Sequence, residues 1–187
     1  MANYDRIRRQ QLLMEAEGYL DLATACAEDL PLPTATRNVM AQRALALLSR
    51  IDSAGSHQEE LLYLTGQAYR IMERYHEAIE PFEEAVALNP DNFHSWLALG
   101  WCNKRIGRLD LAIQSLEEAL SVAPEHAIIY YNLACYWSLA DNSKLALAYL
   151  TRAFDIDPAY RDLVADESDF DPIRDHPGFL ELTSVIV

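Results

Sequence analysis

Three prolines set the frame for this chain. Pro90, Pro124 and Pro158 are spaced by 124 − 90 = 34 and 158 − 124 = 34 residues, and each closes a segment of the same texture: EEAVALNP, EEALSVAP and TRAFDIDP. A fixed step of this kind restricts the fold more than any local propensity does, because each unit must bury its apolar face against the copy beside it. Three further columns keep the step: Ala78, Ala112 and Ala146; Phe82, Leu116 and Leu150; Ala85, Ala119 and Ala153. Within one unit these positions are four and three residues apart, which places them on one stripe of a helix. Upstream lies a second helical stretch, carrying Leu62, Gly66 and Tyr69 in the first unit, Trp96, Leu99, Gly100 and Asn103 in the second, and Tyr130, Leu133, Ala134 and Trp137 in the third.

These residues resemble the tetratricopeptide repeat, a helix–turn–helix with a bulky residue, then Leu-Gly, an aromatic, an Ala, a large apolar residue and a closing Pro. Thr65 stands where Leu is usual and Asn103 where an aromatic is usual. Gly66, Gly100 and Ala134 are small where one helix must approach its partner, and Ala78, Ala112 and Ala146 are small on the other side. The resemblance implies an all-α fold, a right-handed α-solenoid of antiparallel helix pairs, with repeats at 59–92, 93–126 and 127–160 in a single domain spanning 1–187.

Both flanks extend the pattern. Ala44 and Leu48 lie one step before Ala78 and Phe82, so TATRNVMAQRALALLSRI is in phase as the second helix of an earlier pair. Its partner, around EAEGYLDLA, is out of phase: Gly66 − Gly18 is 48, or 34 + 14, which implies an inserted turn near residues 29–38. Pro31 and Pro33 break the helix there, and Thr34 or Thr36 can cap the next one. Residues 5–51 thus read as a degenerate first repeat, joined to the next by the polar loop DSAGSHQ. At the other end, 161–187 reads as a cap. YRDLVADE starts a helix that fades, and DFDPIRDHPGFLEL turns back with Leu163, Phe170, Ile173, Phe179 and Leu180 as its apolar cover.

Composition narrows the partner. With 15 Lys plus Arg against 29 Asp plus Glu, the net charge of −14 repels a phosphate backbone and an anionic lipid surface alike. The opening MANYDRIRRQQLL has charges where a secretory leader needs an apolar core, and no apolar run reaches the roughly 18 residues of a membrane span. A cytoplasmic protein with no nucleic acid or membrane partner is expected. Cys26, Cys102 and Cys135 are far apart, with no CxxC spacing, and read as small buried residues rather than a disulfide or thiolate metal framework.

In the family that the repeats resemble, the first helices line a concave groove. The resemblance therefore assigns the groove to residues offset from the core stripe: Glu60, Tyr63, Gln67 and Arg70; His94, Leu97, Trp101 and Lys104; Ile128, Tyr131, Cys135 and Ser138. Aromatic anchors beside a few cations on an acidic chain make a peptide cradle, since Trp, Tyr and Arg dominate binding hot spots. Trp101 and Tyr131 serve either this groove or the core. The version of the groove that holds an acidic chaperone carboxyl terminus needs Lys, Asn, Lys and Arg, where this chain has Tyr63, Gln67, Ile128 and Asn132. Arg70 and Lys104 remain available for an isolated carboxylate.

Catalytic patterns do not assemble. His76 opens HEAIE, but a zinc-protease helix needs His in place of Glu80, and histidines at 57, 76, 94, 126 and 176 have no ligand spacing. Glu83–Glu84 and Glu117–Glu118 recur at equivalent repeat positions, as solvated faces do. A calcium loop counted from Asp169 meets Ile173 and Arg174 where an oxygen ligand and Gly are required. The expectation is a non-catalytic scaffold, without cofactor or metal, that binds a protein or peptide. Self-assembly through the terminal helices or through the apolar C-terminal tail, Val185, Ile186 and Val187, is the second reading, and an enzyme a remote third.

Overall fold

The computed structural model describes residues 2–24, 32–52 and 57–184, with the backbone alone at 2–5. Every regular element among them is helical: α1 (Ala2–Thr24), α2 (Thr34–Leu48), α3 (Gln58–Ile71), α4 (Tyr75–Leu88), α5 (Phe93–Arg105), α6 (Leu109–Val122), α7 (Ala127–Leu139), α8 (Ser143–Ile156), α9 (Tyr160–Leu163), a 3-10 turn (Ser168–Ile173) and α10 (Pro177–Thr183). The all-α, repeat-built class is the one the columns imply. None of the described helices is long and apolar enough to cross a membrane. Cys26, Pro31, most of the DSAGSHQ loop and Val185, Ile186 and Val187 lie outside the described residues.

Helix boundaries follow the step. Tyr75, Leu109 and Ser143 open α4, α6 and α8, while Leu88, Val122 and Ile156 end them, each two residues before its proline. The three columns explain why. Ala78, Phe82 and Ala85, with their counterparts in α6 and α8, are all 0% exposed, so the same stripe is buried each time.

The chain forms two compact units, Met1–Pro90 and Asp91–Val187. In the first, α1 packs on α2, α2 on α3, and α3 on α4, with α1 also touching α3. Its core is built on Leu13, Ala16, Leu20, Ala41, Ala44, Leu48, Leu64 and Ala68. Gly66 is where α3 meets α4: an added Cβ would fall 2.7 Å from the Phe82 ring. Gly18, by contrast, has nothing within 4 Å of where its Cβ would stand. The equation of Gly18 with Gly66 is therefore corrected, and Ala16, fully buried, is the small residue at the α1 contact. α2 starts at Thr34 with Pro33 at the cap position and no side-chain cap bond, so neither threonine caps it.

In the second unit α5 pairs with α6, α6 with α7, and α7 with α8. The 3-10 turn lies on α7, and α10 returns to α8. Phe170, Ile173 and Phe179 are buried as a cover should be, but Leu163 and Leu180 are 53% and 51% exposed. α9 lasts only four residues. Val164, just past its end, is the residue turned into the core, at 3% exposure.

One repeat column has no shared side chain. Glu73, Gly107 and Asp141, again 34 apart, sit just past α3, α5 and α7 with φ of 60°, 78° and 58°. Each helix ends in the same paired bonds, here Glu73 N–H to Arg70 O at 3.0 Å and Arg74 N–H to Tyr69 O at 2.9 Å, repeated at Gly107–Arg108 and Asp141–Asn142. This is the left-handed cap that normally takes glycine.

Two stability predictions follow from these contacts. Gly66→Ala should lower unfolding free energy by about 1–2 kcal/mol, because forcing a methyl against a fixed ring outweighs the gain in helix propensity, whereas Gly18→Ala should raise it by up to about 1 kcal/mol. Denaturant midpoints of the two variants moving the same way would contradict this. Glu73→Gly should stabilise by about 1 kcal/mol through relief of the left-handed backbone. The Arg37–Glu73 pair that it removes is 4.0 Å long and exposed, and such pairs contribute little. A lower denaturant midpoint for Glu73→Gly would overturn that balance.

Candidate functional site

The offset stripe of α3 borders a cavity in the first unit. Tyr63, Gln67 and Arg70, spaced to share one face, stand opposite Glu17, Leu20, Asp21 and Thr24 of α1 around a space of 220 Å³. The side chains are ordered against one another. Arg70 Nε donates to Gln67 Oε1 at 2.7 Å. Gln67 also hydrogen-bonds Tyr63, whose phenol is raised by burial, while that bond and the Arg70 charge pull it partly back. The Tyr63 ring rests 6.0 Å from Phe82, which fixes its direction from below. Glu60, at the start of the stripe, is engaged instead by His57 Nδ1 at 3.0 Å. The cavity thus presents one guanidinium, an amide and a phenol facing two carboxylates.

The corresponding stripes of the second unit have a different fate. His94 is exposed on α5, with its ring 4.0 Å from Phe93. Burial lowers its imidazole pKa, with the neighbouring His126 acting in the same direction. Leu97 and Ile128 pack on the core from its edge. Trp101 is half-buried, with the Arg105 guanidinium 5.5 Å above its ring. Lys104, however, is not open to a ligand: its Nζ is bonded to Asp169 of the 3-10 turn and lies 5.8 Å from the Tyr136 ring.

Tyr131 goes to the core, one of the two places its sequence position allows, and Cys135 is buried as a small apolar residue rather than set on a groove wall. They are 5% and 2% exposed, so neither lines an open wall, and Ser138 is fully buried beside them. The reason is the returning chain. Phe170 meets Tyr131 edge-on at 5.6 Å, and Tyr160 covers its other side at 5.0 Å. Burial raises the Cys135 thiol pKa, and the nearby Glu167 and Asp169 carboxylates raise it further. Cys135, Glu167 and Asp169 bring one donor atom each to within 4.8 Å of one another. The Lys104 ammonium already supplies the positive charge there.

Asp169 and Phe170 are thus the residues that sequence reasoning missed as site residues. In sequence the acidic stretch reads only as a failed calcium loop, and Phe170 only as end cover. The usable signal was a carboxylate next to an aromatic in a chain with few lysines.

The sequence profile of the tetratricopeptide repeat matches residues 63–121 and 104–161, which together span more than half of the 187 residues. Among curated proteins, the chain is similar to a TPR repeat-containing protein of Rhizobium etli, 31% identical over 84 residues, or 45% of this chain and 41% of that one. It is also similar to the peroxisomal targeting signal receptor of Candida glabrata, 28% identical over 116 residues, or 58% of this chain and 19% of the receptor. The chain therefore spans well under half the length of either relative. Among solved structures it resembles YrrB, described as a TPR protein with an unusual peptide-binding site, at 25% identity and a TM-score of 0.57, covering 71% of this chain and 66% of that one. MamA from Desulfovibrio magneticus RS-1 shares the fold at 21% identity and a TM-score of 0.62, over 91% of this chain and 94% of that one. With the repeat profile matching over most of α3 to α8, and the helix boundaries keeping its period, the chain belongs to the tetratricopeptide repeat family.

Proposed function

We propose that this protein is a non-catalytic scaffold that holds a protein or peptide partner, and that the first unit contributes a peptide-binding site made by Tyr63, Gln67 and Arg70 of α3 against α1. The observation that carries the reading is the 220 Å³ cavity in which three residues of the expected stripe come together. An extended peptide would place a carboxylate at Arg70 and backbone amides at Gln67 and Tyr63, while Glu17 and Asp21 accept its N–H groups. The charge of −14 disfavours nucleic acid in that role. The likeness to YrrB, described as having an unusual peptide-binding site, supports the same class.

A displayed peptide library tests this. Tyr63→Ser and Arg70→Met, each checked for an unchanged unfolding midpoint, should weaken the peptides selected by wild type about tenfold, as expected for truncated hot-spot residues. Selection of the same peptides with equal strength by wild type and both variants would remove the site.

Self-association is the second reading, and α1 gives it an observation of its own. Ile7, Met14 and Leu22 share one stripe and are 47%, 63% and 56% exposed. Light scattering should find an oligomer that Met14→Glu converts to monomer; a monomeric wild type at high micromolar concentration would dismiss it.

A further inference from the structure

The α5 and α7 face of the second unit is occupied by the chain's own residues 167–173, and the way they sit there has the features of a bound peptide. The segment shapes itself: Glu167 Oε1 accepts from Asp169 N–H at 3.0 Å, and Arg174 Nη1 and Nη2 donate to Ala165 O at 3.2 Å and Glu167 O at 2.8 Å. It meets the helices through anchors of two kinds. Asp169 takes the Lys104 ammonium from α5, and Phe170, fully buried, sets its ring against Tyr131 of α7. A charge anchor followed at once by an aromatic anchor is how short motifs are held in grooves.

The resident segment also fits imperfectly. Tyr131 and Tyr136 are 5% and 2% exposed. Their hydroxyls, like Asn103 Oδ1 on the same pair of helices, have no hydrogen-bond partner among the described residues. Burial raises the pKa of both phenols, and the Glu167 and Asp169 charges act in the same direction. The resident carboxylates accept from neither hydroxyl, and buried donors left in this way are unfavourable.

We propose that segment 167–173 is an exchangeable internal ligand, and that the α5/α7 face takes in its place a partner peptide of the same chemistry: a carboxylate side chain immediately before an aromatic one. The incoming carboxylate replaces Asp169 at Lys104, whose ammonium lies 5.8 Å from the Tyr136 ring, and its aromatic neighbour fills the Phe170 position against Tyr131. Lys104, inside a chain of net charge −14, supplies the charge complementarity. Because the resident segment is tethered, it competes at an effective concentration on the order of millimolar, so this face is closed to weak ligands and open to better-fitting ones. The inference is independent of the Tyr63–Arg70 site.

The test uses the full chain and a fluorescein-labelled peptide, Glu-Ser-Asp-Phe-Asp-Pro-Ile, read by anisotropy. The double variant Asp169→Asn, Phe170→Ala should bind it at least about tenfold tighter than wild type, because the tethered competitor has been weakened. Adding Lys104→Met to that variant, or using a peptide with Asn in place of its first Asp, should abolish the gain. A cooperatively folded double variant with no gain overturns the proposal, as does its dimerisation by light scattering without peptide binding, which would make a second copy the occupant. Should the double variant fail to fold, hydrogen exchange of wild type with millimolar peptide decides. Faster exchange across 164–176 with α7 still protected supports exchange of the segment, and unchanged exchange overturns it.

Discussion

Close approach between consecutive helices is the constraint on which the rest of this structure depends. It is met by setting a small residue of one helix against a large apolar residue of the next, without repeating one residue type. In the first hairpin Gly66 leaves room for the Phe82 ring; in the second, Gly100 faces Leu116, with its Cβ direction 3.1 Å from the Ala112 carbonyl. At the equivalent place in the third, Ala134 and Leu150 are both fully buried. A small residue meets a large apolar one each time while the identities drift, as a close-packed interior requires.

The turns themselves show a demand of the backbone that side chains only partly reveal. Glu73, Gly107 and Asp141 adopt the same left-handed conformation, and only the middle one is glycine. The paired hydrogen bonds that close each first helix are made by N–H and C=O groups that every residue here possesses, so the column is conformational and invisible to a comparison of residue types. At Glu73 and Asp141 the packing of the two helices that the turn joins overrides the local preference.

The same offset stripe is put to two uses. In the first unit Tyr63, Gln67 and Arg70 face a polar cavity. In the second, Lys104, Tyr131 and Cys135 are covered by a 3-10 turn whose Asp169 lies 65 residues beyond Lys104 in the chain. The carboxylate that pairs with Lys104 is the one whose neighbour sets an aromatic ring against Tyr131.

The sequence by itself determined the helix pairs, their boundaries and the buried columns, because these depend on periodicity and on small residues facing large ones over short separations. Ala78, Ala112 and Ala146 were legible in that way, and so was the burial of Phe170, Ile173 and Phe179. Gly18 was misjudged because a glycine's identity does not say whether anything stands beside it. Tertiary structure alone decided which stripe residues stay accessible. That outcome turns on where a non-repeating segment comes to rest, and neither the 34-residue step nor the hydrophobic pattern carries information about a single long-range contact between one lysine, one aspartate and the ring beside it.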